Sequence, residues 1–152
     1  MPDIAVPRTH GSYLTQSLEQ ATVADAMHPG ILSCEPDATL IEVAKMMATH
    51  HVHCVAVVGI SHEEPECFVW GIVSDLDLVR AGVAHADPPP SARALAAQPL
   101  VVVEPSMPLR DAAREMLSYG VSHVVVTDPA ANRPIGVLST LDVARVLAWG
   151  EA

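Results

Sequence analysis

Hydrophobic positions along the chain switch twice between helical and strand periods, in the same order each time. From Thr39 to Thr49, Leu40, Val43, Ala44 and Met47 recur at helical spacing, and Thr39 with Glu42 is placed as a capping box. Two Val-rich runs follow, Cys54 to Val58 and Phe68 to Val73, separated by a loop that holds Pro65, which predicts paired strands. A second helix is predicted from Asp75 to Ala81. The order then returns. Pro108 opens a helix striped by Leu109, Ala112, Ala113, Met116 and Leu117. Strands His123 to Thr127 and Ile135 to Leu138 flank a loop with Pro129, Asn132 and Pro134, and Thr140 to Trp149 closes the series as a helix. A short apolar run stands ahead of each series as a further strand, Ile31 to Cys34 and Leu100 to Val103.

The recurrence is an internal repeat. An offset of 69 lays Glu35 and Pro36 on Glu104 and Pro105, Leu40 on Leu109, Met47 on Met116, and Val55 and Val57 on Val124 and Val126. Past the first hairpin the offset falls to 65, matching Gly71 to Gly136, Ser74 to Ser139 and Asp77 to Asp142, with the slack taken up between Gly59 and Glu66. The fold class is therefore α/β (α+β), two β-α-β-β-α copies. The expected organisation is an N-terminal extension over residues 1–22, a first repeat over 23–83, a linker over 84–91 stiffened by Pro88, Pro89 and Pro90, and a second repeat over 92–150. The stretch from Tyr13 to Met27 is expected to add a helix. Each copy has roughly 60 residues, a size at which a core seldom suffices alone, so the two are expected to pack together.

Composition narrows the function. Half of the 152 residues are hydrophobic, enough for one real core, but only 3% are aromatic, so a base-stacking platform has little to draw on. With 18 acidic against 8 basic side chains and a formal charge of −10, no basic stripe exists for a phosphate backbone, and nucleic acid is excluded as a partner. The most apolar stretch, Val52 to Ile60, is interrupted by His53 and Gly59 and falls short of the ~18 residues of a membrane span. The N-terminus carries Asp3 and early prolines in place of an apolar signal region. Cys34, Cys54 and Cys67 form an odd set without C-x-x-C spacing, as in a reducing compartment. A cytoplasmic protein with no membrane contact is expected.

The two motifs GIVSDLD and GVLSTLD, the segment VADAM leading into ILSCEPDATLIEVAKMM, and its counterpart VVVEPSMPLRDAAREML together resemble a tandem pair of CBS domains, the cystathionine β-synthase type, also called a Bateman module. The resemblance runs from Val23 to Trp149. It implies two repeats about a pseudo-two-fold axis, whose facing sheets leave two clefts that often take adenosine-containing ligands such as AMP, ADP, ATP or S-adenosylmethionine. It also implies a homodimer, since family members close their helical faces against a second module.

Ser74-x-x-Asp77 and Ser139-x-x-Asp142 stand where a strand gives way to a helix, so free N–H groups there meet a phosphate while the carboxylate accepts from a ribose diol. The same spacing also makes a capping box that needs no ligand. By resemblance, His53 and Ser122 point toward phosphates, with Cys54 and His123 beside them. One cleft would combine His53, Ser74 and Asp77 with the strand of Val102; the other, Ser122, Ser139, Thr140 and Asp142 with the strand of Ser33. Asp75 would repel a phosphate where the second copy has neutral Thr140 with Arg145 a turn further on, so the second cleft is expected to bind AMP or ADP more tightly. The acidic balance, on the other hand, favours the sulfonium of S-adenosylmethionine. His50, His51, His53 and Cys54 are metal-ligand types, but adjacent residues at a helix end point apart, and no metal is expected. No nucleophile with its base or paired carboxylates stand at catalytic spacing, so an enzyme is not expected. A ligand sensor acting in trans on an effector protein, and a ligand-free dimeric scaffold, are the two classes left.

Overall fold

Each predicted helix has a chemical reason to start where it does. The computed structural model describes residues 18–60, 67–96, 99–130 and 133–149. Helices are α1 (Val23–Ala26), α2 (Leu40–His50), α3 (Asp75–Ala84), α4 (Ala92–Leu95), α5 (Leu109–Tyr119) and α6 (Thr140–Trp149). Strands are β1 (His28–Pro29), β2 (Ser33–Cys34), β3 (Cys54–Ile60), β4 (Cys67–Ser74), β5 (Val102–Val103), β6 (His123–Asp128) and β7 (Arg133–Ser139). Thr39 and Glu42 close the expected capping box on α2, and His51 ends that helix in the left-handed region at φ 53°. Pro108 serves as the N-cap of α5, one place ahead of the first helical residue, and Gly120 ends it at φ 65°.

The β-α-β-β-α order appears twice, as β2-α2-β3-β4-α3 and β5-α5-β6-β7-α6. In each copy the first strand pairs parallel with the second and the second antiparallel with the third. Both hairpins carry a register shift at matched places, between Val57 and Val58 and between Val126 and Thr127. The middle strands are buried on both faces, at Val55, Ala56 and Val57 and again at Val124, Val125 and Val126, which is why they read as unbroken apolar runs. The leading strands last only two residues each, shorter than Ile31 to Cys34 and Leu100 to Val103 suggest. Glu35-Pro36 and Glu104-Pro105 follow them, and a proline has no N–H to continue a ladder.

Contacts divide the chain into two units, Gly30–Leu100 on one side, and on the other the residues up to Pro29 together with those from Val101. The units do not follow the order of the repeats along the chain, because the short opening segments are exchanged. Val23 and Ala24 donate their N–H groups to the Met107 and Pro105 carbonyls, both at 2.9 Å. Their repeat partners Ala92 and Arg93 donate to Ala38 and Pro36 at 2.8 and 3.0 Å. Val23 and Ala92 are both fully buried, the first in a core with Val103, Leu109, Met116 and Leu138, the second with Val43, Met47, Val57 and Val73. β1 extends the exchange by pairing with β7, His28 opposite Val137 and Pro29 opposite Gly136.

The stretch expected as one helix from Tyr13 to Met27 is broken. Residues 18–20 are helical, then Thr22 leaves the helix, bridges to Pro108 and caps α1 in a box with Asp25. Positions 13–17 lie outside the described residues, as do Pro65 and Asn132 of the two hairpin loops. α3 runs on past Ala81 to Ala84 and stops at His85, again left-handed. The linker is no free tether at its far end, where Ser91 bridges to Thr39.

Candidate functional site

The two Ser-x-x-Asp motifs sit at matched sheet-to-helix junctions. Ser74 is the last residue of β4 and the N-cap of α3. Its N–H and hydroxyl both donate to Asp77 Oδ2, at 2.8 and 3.0 Å, and the Asp77 N–H donates back to Ser74 Oγ at 3.3 Å. Ser139 and Asp142 repeat this at 2.8, 3.0 and 3.2 Å. Each Asp thus has one oxygen, Oδ2, fixed by the cap and the other, Oδ1, outside it. Burial of a carboxylate is tolerable only with such partners.

The hairpin register brings the preceding strand's start to the same junction. Cys54 lies opposite Ser74 and His123 opposite Ser139. The Asp75 N–H donates to the His53 carbonyl at 2.9 Å, and the Thr140 N–H to the Ser122 carbonyl at 3.0 Å. His53, Ser74 and Asp77 therefore meet in one unit, and Ser122, His123, Ser139, Thr140 and Asp142 in the other. Ser33 and Val102 lie on the edge strands β2 and β5, opposite Ala56 and Val125. Ser122 Oγ lies 2.9 Å from His123 Nδ1.

Two side-chain pairs change the electrostatic picture drawn from the sequence. Asp75, expected to stand against a phosphate, is held by His53, whose Nδ1 is 2.9 Å from Asp75 Oδ2. Asp142, in the cleft expected to bind AMP or ADP more tightly, has its Oδ1 already engaged: Arg145 Nη1 donates to it at 3.1 Å and His28 Nδ1 lies 2.9 Å away. Asp77 Oδ1 has only Arg80, at 4.0 Å, among the described residues. As whole residues Asp142 and Asp77 are 2% and 8% exposed. His28 was not among the residues the sequence singled out. Its matched position under the 69-residue offset is Ala97, so the repeat gave no signal, and only the exchange of opening segments brings it to Asp142.

No group of three or more His, Cys, Asp or Glu side chains among the described residues is arranged to hold a metal ion. His50 and His51 finish α2, the second as its left-handed cap. No helix among the described residues is long and apolar enough to cross a membrane.

A family model described as the CBS domain matches residues 23–84 and 92–148. An uncharacterized protein of Methanopyrus kandleri is 25% identical over 131 residues, which is 85% of this chain and 64% of that protein, so the chain spans just under two thirds of its relative. Among solved structures, the CBS domain pair of protein MJ0100, in complex with 5′-methylthioadenosine and S-adenosyl-L-methionine, superposes with a TM-score of 0.69 at 18% identity, over 83% of this chain and 94% of that one. CBSX2 in complex with AMP superposes with a TM-score of 0.64 at 25% identity, over 82% of this chain and 94% of the other.

Proposed function

The chain belongs to the CBS domain family, and from that premise we propose that it is a regulatory module whose Ser-x-x-Asp junctions take an adenosine-containing ligand: AMP, ADP, ATP or S-adenosylmethionine. The observation that carries the reading is the paired junction itself, a carboxylate fixed through one oxygen by Ser74 or Ser139 with the other oxygen left outside the cap at a helix start. A ribose diol donates to that outer oxygen, and the first-turn N–H groups of a ten-residue helix favour a phosphate beside it. His53, and Ser122 with His123, flank the phosphate end; Ser33 and Val102 lie on strands that would border the adenosine. The adenosine compounds held by MJ0100 and the AMP held by CBSX2 support the ligand class. Eight Lys and Arg side chains against 18 acidic ones weigh against a tight triphosphate site.

CBS domain pairs are generally regulatory, and nothing in the junctions requires catalysis. A sensor works by binding two conformations unequally, so occupancy here would bias an effector protein in trans. A second copy of the chain is the other partner proposed: Leu76, Val79 and Val83 line one side of α3 at 53%, 60% and 79% exposure, an apolar stripe that a homodimer would cover. The scaffold reading has one observation in its favour, since both capping boxes are complete without a ligand.

A thermal-shift series with AMP, ADP, ATP, NAD and S-adenosylmethionine tests the proposal. A true ligand at a hundred times its Kd adds about 2.7 kcal/mol to apparent stability. Asp77→Ala should abolish or sharply reduce the shift. A flat response to all five compounds would leave the scaffold.

A further inference from the structure

Around the outer oxygen of the aspartate, the two Ser-x-x-Asp junctions have different company. Arg80 and Arg145 occupy matched positions three residues past the aspartates, so each copy has a guanidinium near Oδ1, although Arg145 donates to it at 3.1 Å and Arg80 stands 4.0 Å away. The imidazole of His28 is not common to both copies, because the position matched to it is Ala97, whose methyl has no donor. The backbone of His28 is fixed: β1 pairs with β7 at Val137, and the His28 carbonyl lies against Gly136 so closely that no Cβ fits there. Its side chain is 63% exposed, resting on a carboxylate that is 1% exposed. The ring therefore holds Asp142 from a largely open position and is free to turn away about its own χ angles. Nδ1–H donation to a carboxylate at 2.9 Å is a charge-assisted hydrogen bond, and a ribose hydroxyl would need the same oxygen.

We propose that His28 is a specificity-determining residue that occupies Asp142 from within the chain, so that an adenosine ligand is taken at the Asp77 junction and excluded from the Asp142 junction until the imidazole swings out. This rests on the ligand class given under the proposed function. It makes the module a single-site binder built from a symmetric repeat, with the opening segment of the chain as the source of asymmetry. It also reverses the preference expected from Asp75 and Thr140 alone, since Asp75 is paired with His53 while Asp142 has lost its outer oxygen to His28.

The test is calorimetry with AMP on the full chain and three variants. The parent should bind one equivalent, lost in Asp77→Ala. His28→Ala should gain a second equivalent, or tighten the weak site by about ten- to a hundredfold, the value of one charge-assisted hydrogen bond released from competition. His28→Asn should remain a one-site binder, because an Asn amide N–H lies where Nδ1 does and still donates to Asp142. The ring is exposed, so its replacement leaves the core intact, and circular dichroism on both His28 variants checks the fold. Binding by the parent that is unchanged or weakened in His28→Ala overturns the inference, the weakened case showing that His28 contacts the ligand. Binding in His28→Ala where the parent shows none overturns uptake at the Asp77 junction and leaves His28 only as the block on Asp142. Binding in neither overturns the ligand reading itself, and the inference with it.

Discussion

Gly136 and Gly71 are matched glycines at which another part of the chain comes into contact with a strand. A Cβ on Gly136 would meet the His28 carbonyl oxygen at 2.5 Å and Met27 Sδ at 3.2 Å, whereas on Gly71 it would meet the Ala96 Cβ at 3.0 Å. A backbone carbonyl in a paired strand has little room to yield, and a methyl on a connector has more. Gly136→Ala should therefore cost about 1–3 kcal/mol, the range of an overpacked site, and Gly71→Ala less, read from urea midpoints of the two variants. Cys34 gives a prediction in pH. Burial pushes its thiol above the ordinary value of 9.0, and the carboxylates of Glu35 and Glu42 push the same way. Alkylation followed by mass spectrometry should find Cys34 slower than a free thiol at pH 8 and accelerating only at higher pH. The sign for stability follows: both states hold the proton at neutral pH, but as pH rises through 9.0 the unfolded thiol ionises first, so this group's effect is a loss of stability in alkali. Cys34→Ser should remove that part of the loss.

Among the elements, α1 and α4 are each a single turn, too short to persist alone, and are held by the body they dock on. Val23 is fully buried in the core of Leu109 and Leu138, which belong to the second repeat, although it opens the first. Val23→Ala should cost about 1–3 kcal/mol in lost methyl burial and cavity. The location of the effect is the sharper measurement: hydrogen exchange should quicken in β7 and α5 and leave β3 and β4 unchanged. Faster exchange in β3 and β4 would show that the opening segment serves its own repeat. The helices also differ in how they begin. α2 and α3 carry complete capping boxes, while α5 starts at Pro108 with no side-chain cap and is held by its buried face.

For the whole molecule, the apolar stripe on α3 leads to an expected mass. Light scattering at micromolar concentration should return about twice 16.1 kDa, and Val79→Glu with Val83→Glu should shift it toward the monomer without unfolding the chain, since both side chains are exposed. A parent mass of one chain would leave that stripe without its proposed partner.

Features that are local along the chain could be read from residue spacing alone. Helical and strand periods, the Thr39–Glu42 box and the two Ser-x-x-Asp junctions were legible because spacing along the backbone fixes which side chains share a face or reach a first-turn N–H. The duplication was legible for the same reason, as one local pattern written twice. What needed tertiary structure was every choice between equivalent partners. The segments opening the two repeats share their pattern at Val23 and Ala92, and each could dock on either body; only long-range hydrogen bonds to Met107 and Ala38 decide. The break at Thr22 follows from its bridge to Pro108, 86 positions away, and the engagement of Asp142 from His28, which periodicity does not connect to it. Pairing between distant positions depends on how the whole chain closes its core, and that information is carried jointly by all the buried residues and by no single stretch of sequence.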